Sequence, residues 1–190
     1  MKGNGQHVGA IIFGAVFAVI GGAVAVFTEG FGVVFGGVFA LVGLAIMANG
    51  IRHLVARSAF EQLHLAAVGP VPLGGTAELH LVLTPKRALR LTGDSKVKVT
   101  TTEKAYYSAG TSSRTYTNVL FTREQPLDLP QLLSQHIERR IAVPIPTDIP
   151  PTWSGKSNWF YTTVEVRVDV DNWPDLVLEA PVEVLPEVHQ

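Results

Sequence analysis

The chain has no cysteine and, over its first fifty residues, almost no charge. The first absence removes disulfides, thiolate metal sites and a cysteine nucleophile, and it leaves the redox compartment open. The second is local. Charged residues make up 16% of the 190 residues, against a usual share of about 25%, and the deficit lies at the N-terminal side. Between Val8 and Ala48 the only ionisable residue is Glu29. With no acid or base inside either apolar run, no proton relay or ion site is visible, which argues against a pore or transporter. A formal net charge of -1 provides no global field toward nucleic acid.

Catalytic and metal motifs are missing as well. There is no G-x-S-x-G elbow and no H-E-x-x-H pair. Gly155-Lys156-Ser157 resembles the end of a phosphate loop, but the position that needs the first glycine is Pro150. Asp169, Asp171 and Asp175 lack the distal bidentate Glu of a calcium loop, and Trp173 stands where a ligand belongs. An Asx-rich turn is the better account. His53 and His64 have no third ligand nearby and read as surface imidazoles. No cofactor is expected, and a hydrolase ranks last for want of a nucleophile and base.

What is present begins with two greasy runs, Val8–Phe27 and Phe31–Ala48, separated by Thr28-Glu29-Gly30. About 20 apolar residues at 1.5 Å rise span a hydrocarbon core of roughly 30 Å, and the backbone there must bond to itself as helix. The expectation is a transmembrane helical hairpin over residues 1–50, with helices at about 8–27 and 31–48. Small residues recur every fourth position: Ala10, Gly14, Ala18 and Gly22 in the first run, Gly32, Gly36 and Ala40 in the second. Such a stripe lets two backbones approach closely. The simplest pairing is of the hairpin with itself. Gly21, Gly37 and Gly43 supply the alternative of a second face for homo-oligomers.

Lys2, Arg52 and Arg57 flank the two runs and the turn carries no base, so the positive-inside rule places both flanks, and the domain that follows, in the cytoplasm. Arg52 and Arg57 are suited to lipid headgroups. A cleaved signal peptide ending at Ala23-Val24-Ala25 is the rival, disfavoured because the apolar run exceeds the usual h-region of about 7–15 residues. Residues 51–63 read as a juxtamembrane connector, loosely helical in spacing and able to continue the second helix as an interfacial segment.

From His64 the pattern turns to strands. Leu79, Leu81 and Leu83 alternate with polar neighbours, as do Val97 and Val99, and most clearly Val164, Val166, Val168 and Val170. Thr100–Tyr107 and Thr115–Thr122 form the arms of a long hairpin whose tip is small and polar. Leu127–His136 starts a short helix at Asp128, and the next strand begins near Arg140. Many short strands between Pro/Gly corners give an antiparallel β-sandwich over 64–190. The fold class expected is thus an α+β membrane protein, hairpin first and sandwich second.

Two groups of residues suggest a surface. Lys104, Tyr106, Tyr107, Arg114 and Tyr116 sit in the hairpin as a basic-aromatic set, with a solvated edge as the plainer reading. Trp153, Trp159 and Trp173 crowd into one stretch. Core packing is the expectation for them, with an aromatic ledge toward a membrane interface or a partner as the alternative.

The segment IAVPIPTDIPPTW (Ile141–Trp153), followed by VEVRVDV (Val164–Val170) and NWPDL, resembles the strand–proline–strand signature of arrestin-like, immunoglobulin-like β-sandwiches. Gly74-Gly75 leading to Leu79 resembles their early strand pair. With the hairpin in front, the chain is similar to bacterial inner-membrane proteins that carry such a domain. The resemblance implies a scaffold or binding module with no catalytic residues to carry over. The polar core of true arrestins is not identifiable, so phosphoprotein binding is not carried over. The functional expectation is a membrane-anchored interaction module with lipid and protein partners and no nucleic acid. An oligomeric membrane component is the alternative.

Overall fold

The computed structural model describes residues 3–109 and 112–186. It comprises two compact units, Met1–Ser58 and Ala59–Gln190. The first is a pair of helices, α1 (Gly3–Phe27) and α2 (Phe31–Ser58). Their turn closes with the Thr28 amide donating to Val24 O at 3.1 Å and with Gly30 at φ 61°, a conformation in which a side chain would be strained.

α2 runs ten residues past Ala48, through Asn49-Gly50, so the connector continues the second helix as far as Ser58 and passes into strand at Phe60. No proline intervenes, Ile51, Leu54 and Val55 keep the helical spacing, and one interior glycine costs about 1 kcal/mol, too little to stop a helix.

Side chains within the pair are sorted by size, small toward the partner helix and large away from it. A Cβ built on Gly14 would meet Gly43 O and Met47 N, each at 2.7 Å; one on Gly21 would meet Gly36 O at 2.7 Å and the Ala40 amide. Gly36 faces Gly21 O at 2.6 Å and Gly43 faces Gly14 O at 2.6 Å. The seam on α1 is therefore Gly14–Ala18–Gly21–Ala25, stepping by four, three and four. The expected fourth-position stripe is corrected on this point: Gly22 meets nothing within 4 Å, and Gly32 meets the Thr28 side chain in the turn. A strict step of four rotates the stripe by about 40° each time, whereas alternating three and four holds one face. Gly21 and Gly43, read as an oligomer face, lie in this seam, while Gly37 is open.

Among the described residues the second unit has twelve strands: β1 (Phe60–Ala67), β2 (Val71–Pro72), β3 (Thr76–Pro85), β4 (Leu89–Arg90), β5 (Lys96–Ala109), β6 (Ser112–Pro126), β7 (Leu132–Leu133), β8 (Ile137–Pro144), β9 (Trp153–Ser154), β10 (Asn158–Val168), β11 (Leu176–Val182) and β12 (Val184–Leu185). One sheet is ordered β1-β3-β8 and the other β11-β10-β5-β6, with β9 beside β10. All these pairs are antiparallel; β12 and β2 form a short parallel pair. The inner faces share one core. Leu79, Leu81, Leu83, Ile141 and Val143 come from the first sheet, and Val97, Val99, Val164, Val166, Val168, Leu176 and Leu178 from the second. Two antiparallel sheets packed face to face over period-two apolar residues make a β-sandwich.

Local expectations fail in two places. Asp128–His136 is not helical: Leu132–Leu133 is a short strand paired with β4, Leu133 is fully buried, and the Leu91 amide donates to Gln131 O at 2.8 Å. So short a helix has little to offset its nucleation, whereas the core takes Leu127 and Leu133. β8 starts at Ile137 and admits Arg139 into the core-facing register, because its guanidinium reaches the rim and donates to Asp128 O at 2.6 Å.

At the centre of the larger sheet Thr101 and Thr162 lie directly opposite each other, buried, with their hydroxyls 3.0 Å apart. Replacing one by Val strands the other hydroxyl, which should cost about 1–3 kcal/mol. Replacing both should cost much less than twice that, as a double-mutant cycle by denaturant unfolding will read. In the helices, Gly21→Ile should destabilise the hairpin by about 1–3 kcal/mol through overpacking, while Gly22→Ile should not. Thermal unfolding in mild detergent compares the two.

Candidate functional site

β10 carries the candidate site at its N-terminal end. Along one side it pairs with β5 from Asn158↔Ala105 to Arg167↔Lys96. Along the other it takes β11 from Thr162 onward and β9 before that, at Trp159↔Ser154 and Phe160↔Trp153. Where β9 meets β10 a groove of about 380 Å³ opens, walled by Trp153, Trp159, Phe160 and Tyr161 with Lys104 at its rim. The Trp153 and Phe160 rings lie 6.3 Å apart. A Cβ on Gly155 would run into the Trp153 indole, so the ring folds down onto that glycine. Trp153 still keeps 53% of its surface exposed. Lys104 is directly opposite Trp159 and therefore shares its face, whereas Glu103 is opposite Phe160 on the other face, where it accepts from Asn158 Nδ2 at 3.4 Å.

The structure separates the three tryptophans. Trp153 and Trp159 belong to this groove. Trp173 lies in the turn beyond the far end of β10, packed against the core, with the Arg87 guanidinium 4.6 Å over its ring. Core packing thus describes Trp173 but not the half-exposed Trp153. The hairpin set divides too, because strand side chains alternate. Tyr107 is opposite Arg114, and Tyr116 is opposite Ala105 on that same face; Tyr106 is opposite Thr115 on the other, with Lys104. All three tyrosines are about half exposed. Lys2 lies outside the described residues, and Arg52 and Arg57 fall on α2.

β6 forms the edge of the larger sheet, paired with β5 alone among the described strands. A bulge between Thr101 and Thr102 leaves Leu120 without a partner across the ladder, and Val119 and Leu120 are exposed there.

On the outer face of the smaller sheet, the register brings together residues that the sequence scatters. His80 Nε2 is 2.6 Å from Glu138 Oε1, and His136 Nε2 is 3.9 Å from the other carboxylate oxygen. His136 Nδ1 lies 2.8 Å from Thr84 Oγ1, and the His64 ring is edge-on to His80 at 6.4 Å. Among the described residues no group of three or more His, Cys, Asp or Glu is arranged to hold a metal ion. The three carboxylates set aside as a calcium loop are engaged within the turn, Asp171 accepting from Asn172 Nδ2 at 3.0 Å and the other two pairing with Arg167. Arg167 donates to Asp169 at 3.0 Å and to Asp175, and its guanidinium is raised by the Asp169 hydrogen bond first and by Asp175 as well.

No protein-family model matches the chain, and no curated protein matches it. Among solved structures, the crystal structure of Spo0M, a sporulation control protein from Bacillus subtilis, is similar at 13% identity and a TM-score of 0.41. The match covers 67% of this chain and 49% of that one, so the chain spans about half the length of that protein.

The hydrogen bond from His80 holds the Glu138 carboxyl below its ordinary range, with the His80 charge assisting. The contribution of this contact is present above the ordinary carboxylate pKa and disappears as pH falls through the lowered one. Side-chain NMR titration should find Glu138 below the ordinary carboxylate range, and His80→Ala should return it upward.

Proposed function

We propose that this chain is a membrane-anchored β-sandwich that binds another protein and performs no chemistry of its own. The observation that carries the anchoring is the inverted sorting of the hairpin. Glycines are buried at its seam while Val19, Val26, Phe27, Phe31 and Leu41 are exposed at 69–85%. A helix pair in water would bury those side chains, each worth about 1.5–3 kcal/mol. In hydrocarbon they are already solvated, and close backbone packing holds the pair together. Val8–Phe27 and α2 are both long and apolar enough to cross a bilayer.

The setting we favour is a bacterial inner membrane with the sandwich in the cytoplasm, since the bases flank the spans and Glu29 sits in the turn. Anchoring confines the sandwich to a surface and raises its effective concentration toward partners held there. The unpaired side of β6 supports recognition by strand addition, in which main-chain groups supply affinity and alternate side chains selectivity. Assembly of several hairpins into an oligomer is the second reading, favoured by the open space beside Gly9, Gly22 and Gly37 outside the seam.

Extraction should require detergent, and in intact right-side-out vesicles the sandwich should resist added protease until the vesicles are opened. Cleavage before opening would reverse the sidedness. Photocrosslinkers at Thr115, Thr117 and Val119 should trap one partner that crosslinkers on the outer face of β8 do not, and equal yield at both would remove strand addition.

A further inference from the structure

We infer that the groove between β9 and β10 recognises an acidic, extended protein segment that carries an aromatic or proline side chain. The inference deepens the protein-partner reading and rests on it, but it stands on a different surface from the β6 edge. Two observations lead to it.

The walls are aromatic and preformed. Trp153 is fixed by the β9–β10 pairing, by its seat on Gly155 and by Phe160, so little side-chain freedom remains to be lost on binding. A volume of about 380 Å³ admits one large side chain or a proline, and the groove is open to solvent, as suits a chain passing through. Aromatic grooves of this kind take extended, proline-bearing segments because rings stack on a rigid, low-entropy chain.

The charge at this end has one dominant sign. Lys104 is the sole charged residue lining the groove, and among the described residues it has no ion-pair or hydrogen-bond partner. The stretches 103–118 and 153–161, which build this end of the sheet, contain three cations (Lys104, Arg114, Lys156) and one acid (Glu103). By register Glu103 and Arg114 share the other face, that of Phe160 and Trp153, and offset each other in charge, so the uncompensated cation at the groove is Lys104. An acidic ligand is the complement.

The test is selection from a random eight-residue peptide library on the full chain in detergent micelles. The expected outcome is enrichment of peptides that pair Asp or Glu with Phe, Tyr, Trp or Pro. Trp153→Ala should weaken their binding by about tenfold or more, Lys104→Glu should shift the preference toward basic peptides, and Arg140→Glu on the other sheet should change nothing. Unaltered thermal unfolding shows that the variants are folded, as expected for exposed side chains. Enrichment of basic peptides, no enrichment, or enrichment indifferent to both groove variants overturns the proposal. So does a Trp153-dependent blue shift of tryptophan emission when phosphatidylglycerol is added to reconstituted phosphatidylcholine vesicles, which makes the groove a lipid contact. Loss of the β6 crosslinks with the selection intact sinks strand addition alone; the converse sinks the groove alone.

Discussion

The sandwich depends on the ladder between β10 and β5. Ten consecutive residue pairs run without a break from Asn158↔Ala105 to Arg167↔Lys96. Because side chains alternate along both strands, that single register decides which residues are buried. It aligns Val97 and Val99 with Val166 and Val164 in the core, sets Thr101 against Thr162, and places Lys104 beside Trp159. A slip by one residue would expose the valines and bury Glu165 and Lys98. The cost of burying unpaired charge is far larger than any gain at the edge, so the pairing is strongly specified. The bulge in β6 is absorbed one strand further out, where Val119 and Leu120 reach solvent without disturbing the core.

The helical unit obeys a different rule. In the sandwich, apolar side chains are gathered inward by water; in the hairpin they are turned outward, and glycine backbones touch instead. Water favours the first arrangement and hydrocarbon the second, which is the ground for the anchor proposed above. Hydrocarbon offers no reward for burying a phenylalanine, so association there comes from close van der Waals approach. This contrast is the physical basis for treating the first unit as an anchor and the second as the part that meets partners.

The functional surfaces share an origin in register. The groove combines residues from β5, β9 and β10; the imidazole patch around Glu138 combines β1, β3 and β8. The patch consumes its own valences, since Glu138 faces two imidazoles and His136 meets Thr84. The groove leaves an aromatic wall and a cation facing solvent. That difference is why the groove, and not the imidazole patch, is the better candidate for a ligand.

The sequence by itself determined the partition into two apolar helices and a strand-built domain, because a twenty-residue uncharged run and a period-two alternation each permit one backbone solution. It also identified the buried residues of β3 and β10, whose alternation is unbroken. Only the tertiary structure decided the seam, since a stripe of glycines is ambiguous until the helices meet and the 3.6-residue turn selects Gly21 over Gly22. The non-helical course of Leu127–Leu133 was settled likewise, by a core that takes Leu133 where local capping signals favoured helix. The tryptophans were close in sequence yet fell at opposite ends of β10, because eleven extended residues separate what a short stretch of sequence lists together. Lys104 was legible as part of a basic-aromatic set, but its place across from Trp159, fifty-five positions later, is set by strand register, which composition and spacing do not encode.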